Sequence, residues 1–72
     1  MHRTGSTPFG DRLKRARRER GMGPDTFAAR VGIATSMLTG YENRGRQPRL
    51  DSLVAMAQVL DCSLDWLCGL ED

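Results

Sequence analysis

The stretch 24–42, PDTFAARVGIATSMLTGYE, constrains the fold of this chain more than any other. Phe27, Ala28 and Val31 recur at the steps of one helical face, Gly32 interrupts, and Ile33, Leu38 and Tyr41 supply the apolar face of a second helix. The pattern predicts a helix, a tight turn and a helix. Ala28 is small where two helix backbones must approach, and Gly32 can take the positive φ of a three- or four-residue turn. Thr35, Ser36, Thr39 and Gly40 are left on the other face of the second helix, where small side chains let a helix lie close against another surface.

Further helices flank this unit. Residues 1–8 lack apolar periodicity and read as an N-terminal arm. Over residues 9–20, Phe9, Leu13 and Ala16 face inward and Gly21 is available as a stop. Pro24 suits a first helical position, and Asp25 complements the positive helix end. The helix expected over 35–42 has Ala34 at its cap, with no side-chain acceptor, at a cost of about 1 kcal/mol unless Thr35 takes over. Residues 43–49 form a basic, turn-rich loop. Leu50, Leu53, Val54, Ala57 and Leu60 make the inward stripe of a fourth helix over 50–60, and Ser63 caps a last short helix from which Leu64, Leu67 and Leu70 pack back. The expectation is an all-α, five-helix domain over 9–70, followed by a two-residue tail, 71–72.

A chain of 72 residues makes one domain of limited buried surface, with a stability of only a few kcal/mol. Its longest apolar run is far short of the roughly 20 residues of a membrane span, and no export signal is visible, so a cytoplasmic location is expected. Cys62 and Cys68 lack zinc-site spacing, and the one histidine, His2, lies in the arm. The thiols read as small apolar fillers. Without a glycine-rich phosphate loop, a nucleophile motif or a histidine base, neither enzymatic activity, nor a cofactor, nor a small-molecule ligand is expected.

The net charge of +2 conceals an asymmetry. Arg12, Lys14, Arg15, Arg17, Arg18 and Arg20 crowd the first helix, Arg44, Arg46 and Arg49 punctuate the loop, and from residue 50 onward the only charges are acidic: Asp51, Asp61, Asp65, Glu71 and Asp72. A chain so polarised can turn one face toward a polyanion and keep the other away. Phosphate contact is therefore expected from some of Arg12, Arg15 and Arg18.

AARVGIATSMLTGYEN, the GRQPRL loop and the VLDCSLDWL ending together closely resemble the Cro/repressor (XRE-type) helix-turn-helix family of bacterial and phage regulators, particularly lambdoid phage repressor DNA-binding domains. The resemblance implies a compact, lambda-repressor-like domain that binds double-stranded DNA in sequence-specific fashion and acts as a repressor. It implies a structural ion pair between Arg17 and Glu42, base readout by Thr35, Ser36, Met37 and Thr39, and DNA-backbone contacts from Asn43, Arg44, Arg46 and Arg49. A two-fold homodimer, weak without DNA, would set two recognition helices about 34 Å apart. Trp66 and Leu70 are candidates for that contact, although Trp66 is equally readable as core.

The chain departs from the family pattern where Pro24 replaces a glutamine and where Thr35, Ser36 and Gly40 stand at positions often held by long forked side chains. Bidentate readout is worth about 1–3 kcal/mol per base, and hydroxyls contribute less. Modest base readout is the expectation, with thymine methyl contacts from Thr35, Thr39 or Met37 and a contribution from DNA shape. These small residues also suit a competing role as a protein-interaction module, such as an antitoxin or adaptor.

Overall fold

The computed structural model describes residues 7–71, and over these the chain is helical: α1 (Pro8–Glu19), α2 (Pro24–Val31), α3 (Thr35–Asn43), α4 (Leu50–Leu60) and α5 (Leu64–Leu67). No strand occurs among the described residues. Residues 1–6 of the expected arm lie outside them. Thr7 and Pro8 are not arm but helix start: the Thr7 hydroxyl accepts from the Gly10 amide at 3.0 Å, and Pro8 opens the first turn, one residue earlier than expected.

The helix ends follow local chemistry. In the α2–α3 turn Gly32 has φ of 88°, and the Gly32 and Ile33 amides both reach the Ala28 carbonyl, at 2.8 and 3.0 Å. Asp61 ends α4 at φ 53°, a left-handed position that a short polar side chain tolerates. Ala34 caps α3 without a side-chain bond, and the Thr35 hydroxyl does not substitute for it. Ser63 caps α5 by accepting from the Trp66 amide at 3.0 Å.

Phe27, Leu13, Leu38, Met56, Leu60 and Leu67 are fully buried, with Ala16, Ala28, Ala57, Met22 and Tyr41 completing the core. One contact brings α1 onto α3 at backbone range. A β-carbon on Gly10 would lie 2.7 Å from the carbonyl oxygens of both Tyr41 and Glu42, so only glycine admits the approach.

Five expectations about the core and its edges are corrected. Leu50 does not join the α4 stripe and is 73% exposed: it opens α4 directly after the exposed loop residue Arg49, and Asp51 beside it is exposed too. Met56, absent from the expected stripe, is buried instead. Of the three leucines expected to pack back at the C-terminal end, Leu67 is buried, whereas Leu64 and Leu70 are exposed: α5 makes only one turn, in which Leu67 and Trp66 take the inward positions, and Leu70 lies beyond it. Gly40 is not on the open face of α3; it is buried beneath the Arg46 side chain. Cys62 packs against the core as a filler, but Cys68 is exposed.

Candidate nucleic-acid interface

The presentation of α3 begins behind it. Leu38 and Tyr41 anchor the helix in the core, and Glu42 turns inward to Arg17 on α1. Arg17 Nε donates to Glu42 Oε2 at 2.8 Å, Nη2 to Oε1 at 3.1 Å, and Nη1 to the Met22 carbonyl at 2.9 Å. The parallel pair of bonds holds the C-terminal end of α3 at a set distance from α1, and the third ties in the chain that leads to α2.

With that face committed, Ser36 and Met37 are exposed and Thr35 and Thr39 half-buried on the other side. Both threonine hydroxyls have partners. Thr35 Oγ1 donates to Asp25 Oδ1 at 2.8 Å, across the start of α2 and the start of α3, and Thr39 Oγ1 donates to the Thr35 carbonyl at 3.2 Å. Asp25 is a site neighbour that sequence spacing did not single out, because its distance from Thr35 depends on the angle between two helices.

At the other end of α3 the chain folds back on itself. The amides of Arg44 and Arg46 both donate to the Gly40 carbonyl, at 3.0 and 3.2 Å. This fold-back lays the Arg46 stem across Gly40, where a β-carbon would sit 2.5 Å from Cδ. Arg46 nonetheless remains exposed as a residue. Arg44 is exposed beside it, and Asn43 accepts from the Lys14 ammonium of α1. Lys14 is a second neighbour missing from the sequence-based set. Arg49 is exposed, and Asp51 at 3.9 Å is a loose ion pair.

The arginines of α1 divide. Arg12 Nη1 donates to the carbonyl oxygens of Trp66 and Glu71, and its guanidinium carbon lies 5.0 Å from the Trp66 ring centroid. Arg15 lies 5.3 Å from the same centroid. Trp66 is thus a half-buried ring packed against the core and flanked by two cations, both attracted to its π-face. Arg18 is exposed and Arg17 buried. Leu70, the other candidate for a dimer contact, is 77% exposed.

Burial raises the pKa of the Cys62 thiol, with Arg20 opposing and Asp61 reinforcing the shift. Among the described residues no group of three or more His, Cys, Asp or Glu side chains is placed to hold a metal ion, and no helix is long and apolar enough to cross a membrane.

Residues 13–67 match the family HTH_3, helix-turn-helix. YobD, an uncharacterized HTH-type transcriptional regulator of Bacillus subtilis (strain 168), is 38% identical over 61 residues, which cover 85% of this chain and 54% of YobD. The chain spans about half the length of the curated relatives it matches. SinR, the master regulator for biofilm formation, in complex with DNA, aligns with a TM-score of 0.78 at 31% identity, over 83% of this chain and 97% of that one. The P22 c2 repressor in complex with a synthetic operator aligns with a TM-score of 0.84 over 92% of this chain and all of that one; at 21% identity this likeness establishes a common fold alone. With the helix-turn-helix geometry in place and most of the sequence matched, the chain belongs to the helix-turn-helix family HTH_3.

Proposed function

We propose that this chain is a transcriptional regulator that binds double-stranded DNA and represses by occupying a promoter, with α3 laid in the major groove. The observation that carries the reading is the two-sidedness of α3. Its inner face is held by Leu38, Tyr41 and the Arg17–Glu42 pair, while Thr35, Ser36, Met37 and Thr39 line a low-relief outer face. Side chains of that size let a helix seat deeply in the groove and touch base edges. The matched relatives, HTH-type transcriptional regulators, support the same reading.

Asn43, Arg44, Arg46 and Arg49 are the proposed phosphate contacts, with Lys14 added through its bond to Asn43. Arg15 and Arg18, exposed on α1, belong to the outer part of that set. Arg12 is left out of it, because its guanidinium is occupied by the C-terminal segment. A two-fold homodimer on DNA would use the exposed Leu70 beside Trp66 and place the acidic end of the chain away from the duplex. The proposed setting is the cytoplasm.

Selection of bound duplexes from a random pool, at about 150 mM salt where non-specific binding is suppressed, tests the reading. Enrichment of an inverted repeat with half-site centres about 10 base pairs apart is the expected result. A pool that stays random removes sequence-specific regulation as the function.

A further inference from the structure

The two threonines on the outer face of α3 have already used their protons. A hydroxyl has one proton to donate and two lone pairs to accept with, and an ionised carboxylate only accepts. In the Thr35–Asp25 contact, 2.8 Å long, Thr35 must therefore be the donor. Thr39 donates to the Thr35 carbonyl, which likewise has no proton to return. What the two hydroxyls keep for an approaching surface is lone pairs, and Asp25 adds carboxylate oxygens to the same patch.

We infer that Asp25 is a specificity-determining residue that acts through Thr35, turning the start of α3 into an acceptor-only surface for exocyclic amino groups. The inference rests on the proposed placement of α3 in the major groove. There the adenine N6 and cytosine N4 amino groups are donors, whereas guanine O6 and N7 and thymine O4 are acceptors. A Thr35 hydroxyl held by Asp25 accepts from adenine or cytosine and opposes guanine or thymine on the strand it faces.

The bond is exposed in the free protein and competes there with water. On DNA the competition changes. Water leaves, and rotating the Thr35 hydroxyl toward a base acceptor would leave the Asp25 carboxylate desolvated without its partner, which is the more expensive arrangement. Asp25 is also held in place, since it follows Pro24 in the first turn of α2, where the positive helix end favours a carboxylate.

The test compares the bases selected by the parent chain with those selected by Asp25→Ala, Thr35→Val, Asp25→Asn and the double variant Asp25→Ala/Thr35→Val. Circular dichroism verifies that each is folded. The parent is expected to show one column of strong preference whose adenine or cytosine lies on the strand that Thr35 faces. Asp25→Ala and Thr35→Val are expected to weaken that column's preference about tenfold, with the other columns kept. The double variant should be no flatter than Thr35→Val, as one pathway requires. Asp25→Asn should retain the preference, because its amide oxygen accepts the same proton without the charge. If Asp25→Ala selects the same column as the parent, or only binds all sequences more tightly, Asp25 acts as bulk charge and the inference fails while the regulator reading stands. Flattening of different columns by Asp25→Ala and by Thr35→Val also overturns it, because the two residues would then not act on one base pair. A parent pool that stays random overturns both.

Discussion

Arg17 and Glu42 meet through two parallel hydrogen bonds of 2.8 and 3.1 Å with their side chains only 6% and 4% exposed, so α3 is joined to α1 by a buried ion pair on the side away from its outer face. Its contribution depends on both partners being present. Two charges out of water roughly offset their own desolvation, but one alone does not.

Glu42→Ala is therefore expected to lose about 3–5 kcal/mol, which is most of the stability a domain of this size commands. The double replacement Arg17→Met/Glu42→Leu is expected to lose much less, because no charge is stranded. Urea titration followed by circular dichroism reads both. A loss below about 1 kcal/mol for Glu42→Ala would show that water reaches Arg17 and replaces its partner.

Two glycines at close contacts should respond in opposite ways to alanine. Gly10→Ala drives a methyl into the carbonyl oxygens of Tyr41 and Glu42, which are backbone and cannot step aside, so a loss of about 1–3 kcal/mol is expected. At Gly40 the obstacle is the flexible Arg46 side chain. The fold should tolerate Gly40→Ala, with a gain of up to about 1 kcal/mol in helix propensity offsetting the displacement. DNA affinity should fall as Arg46 is pushed out of line. Thermal melts together with binding titrations separate the two cases.

Arg46 and Arg12 are expected to differ in their dependence on salt. Arg46→Ala should weaken binding to all duplexes and lower the slope of log K against log salt by about 1, as one phosphate contact is lost. Arg12→Ala should leave the slope alone and instead speed amide exchange over 64–71, where its guanidinium holds two carbonyls. A lowered slope for Arg12→Ala would return that residue to the contact set.

The two thiols should alkylate at different rates. Burial pushes Cys62 above its ordinary pKa, so its thiolate fraction at about pH 8 is reduced, while Cys68 is exposed. Iodoacetamide with mass mapping should modify Cys68 first. The sign for stability follows: the folded state prefers the neutral Cys62 thiol, so its contribution is fully present below the unfolded pKa and is lost as pH rises through the raised folded value. Equal rates at the two positions would mean that Cys62 is more accessible than its packing indicates.

Local features proved sufficient for the elements. The three- and four-residue steps of Leu13 and Ala16, of Phe27, Ala28 and Val31, and of Leu38 and Tyr41 are properties of short windows. So are the Pro24 start, the Gly32 turn and the Ser63 cap. The resemblance brought Arg17 and Glu42 together across 25 positions, which periodicity alone cannot do.

Leu50 and Met56 mark where windows stop being informative. Both are apolar residues of one helix, and which is covered depends on how far neighbouring helices reach along it. Gly10 and Gly40 belong to the same class, as each matters for an atom of another segment that sits where its β-carbon would be.

From sequence alone came the helices, their order, the turn and the residue types offered by the outer face of α3. Tertiary structure alone decided which hydroxyl gives its proton to which acceptor, that Arg46 lies over Gly40, and that Arg12 is claimed by Trp66 and Glu71. The physical reason is range. Helix propensity and periodicity act within a few residues, whereas hydrogen bonds and close contacts between distant segments need ångström-level placement that only the packed core supplies.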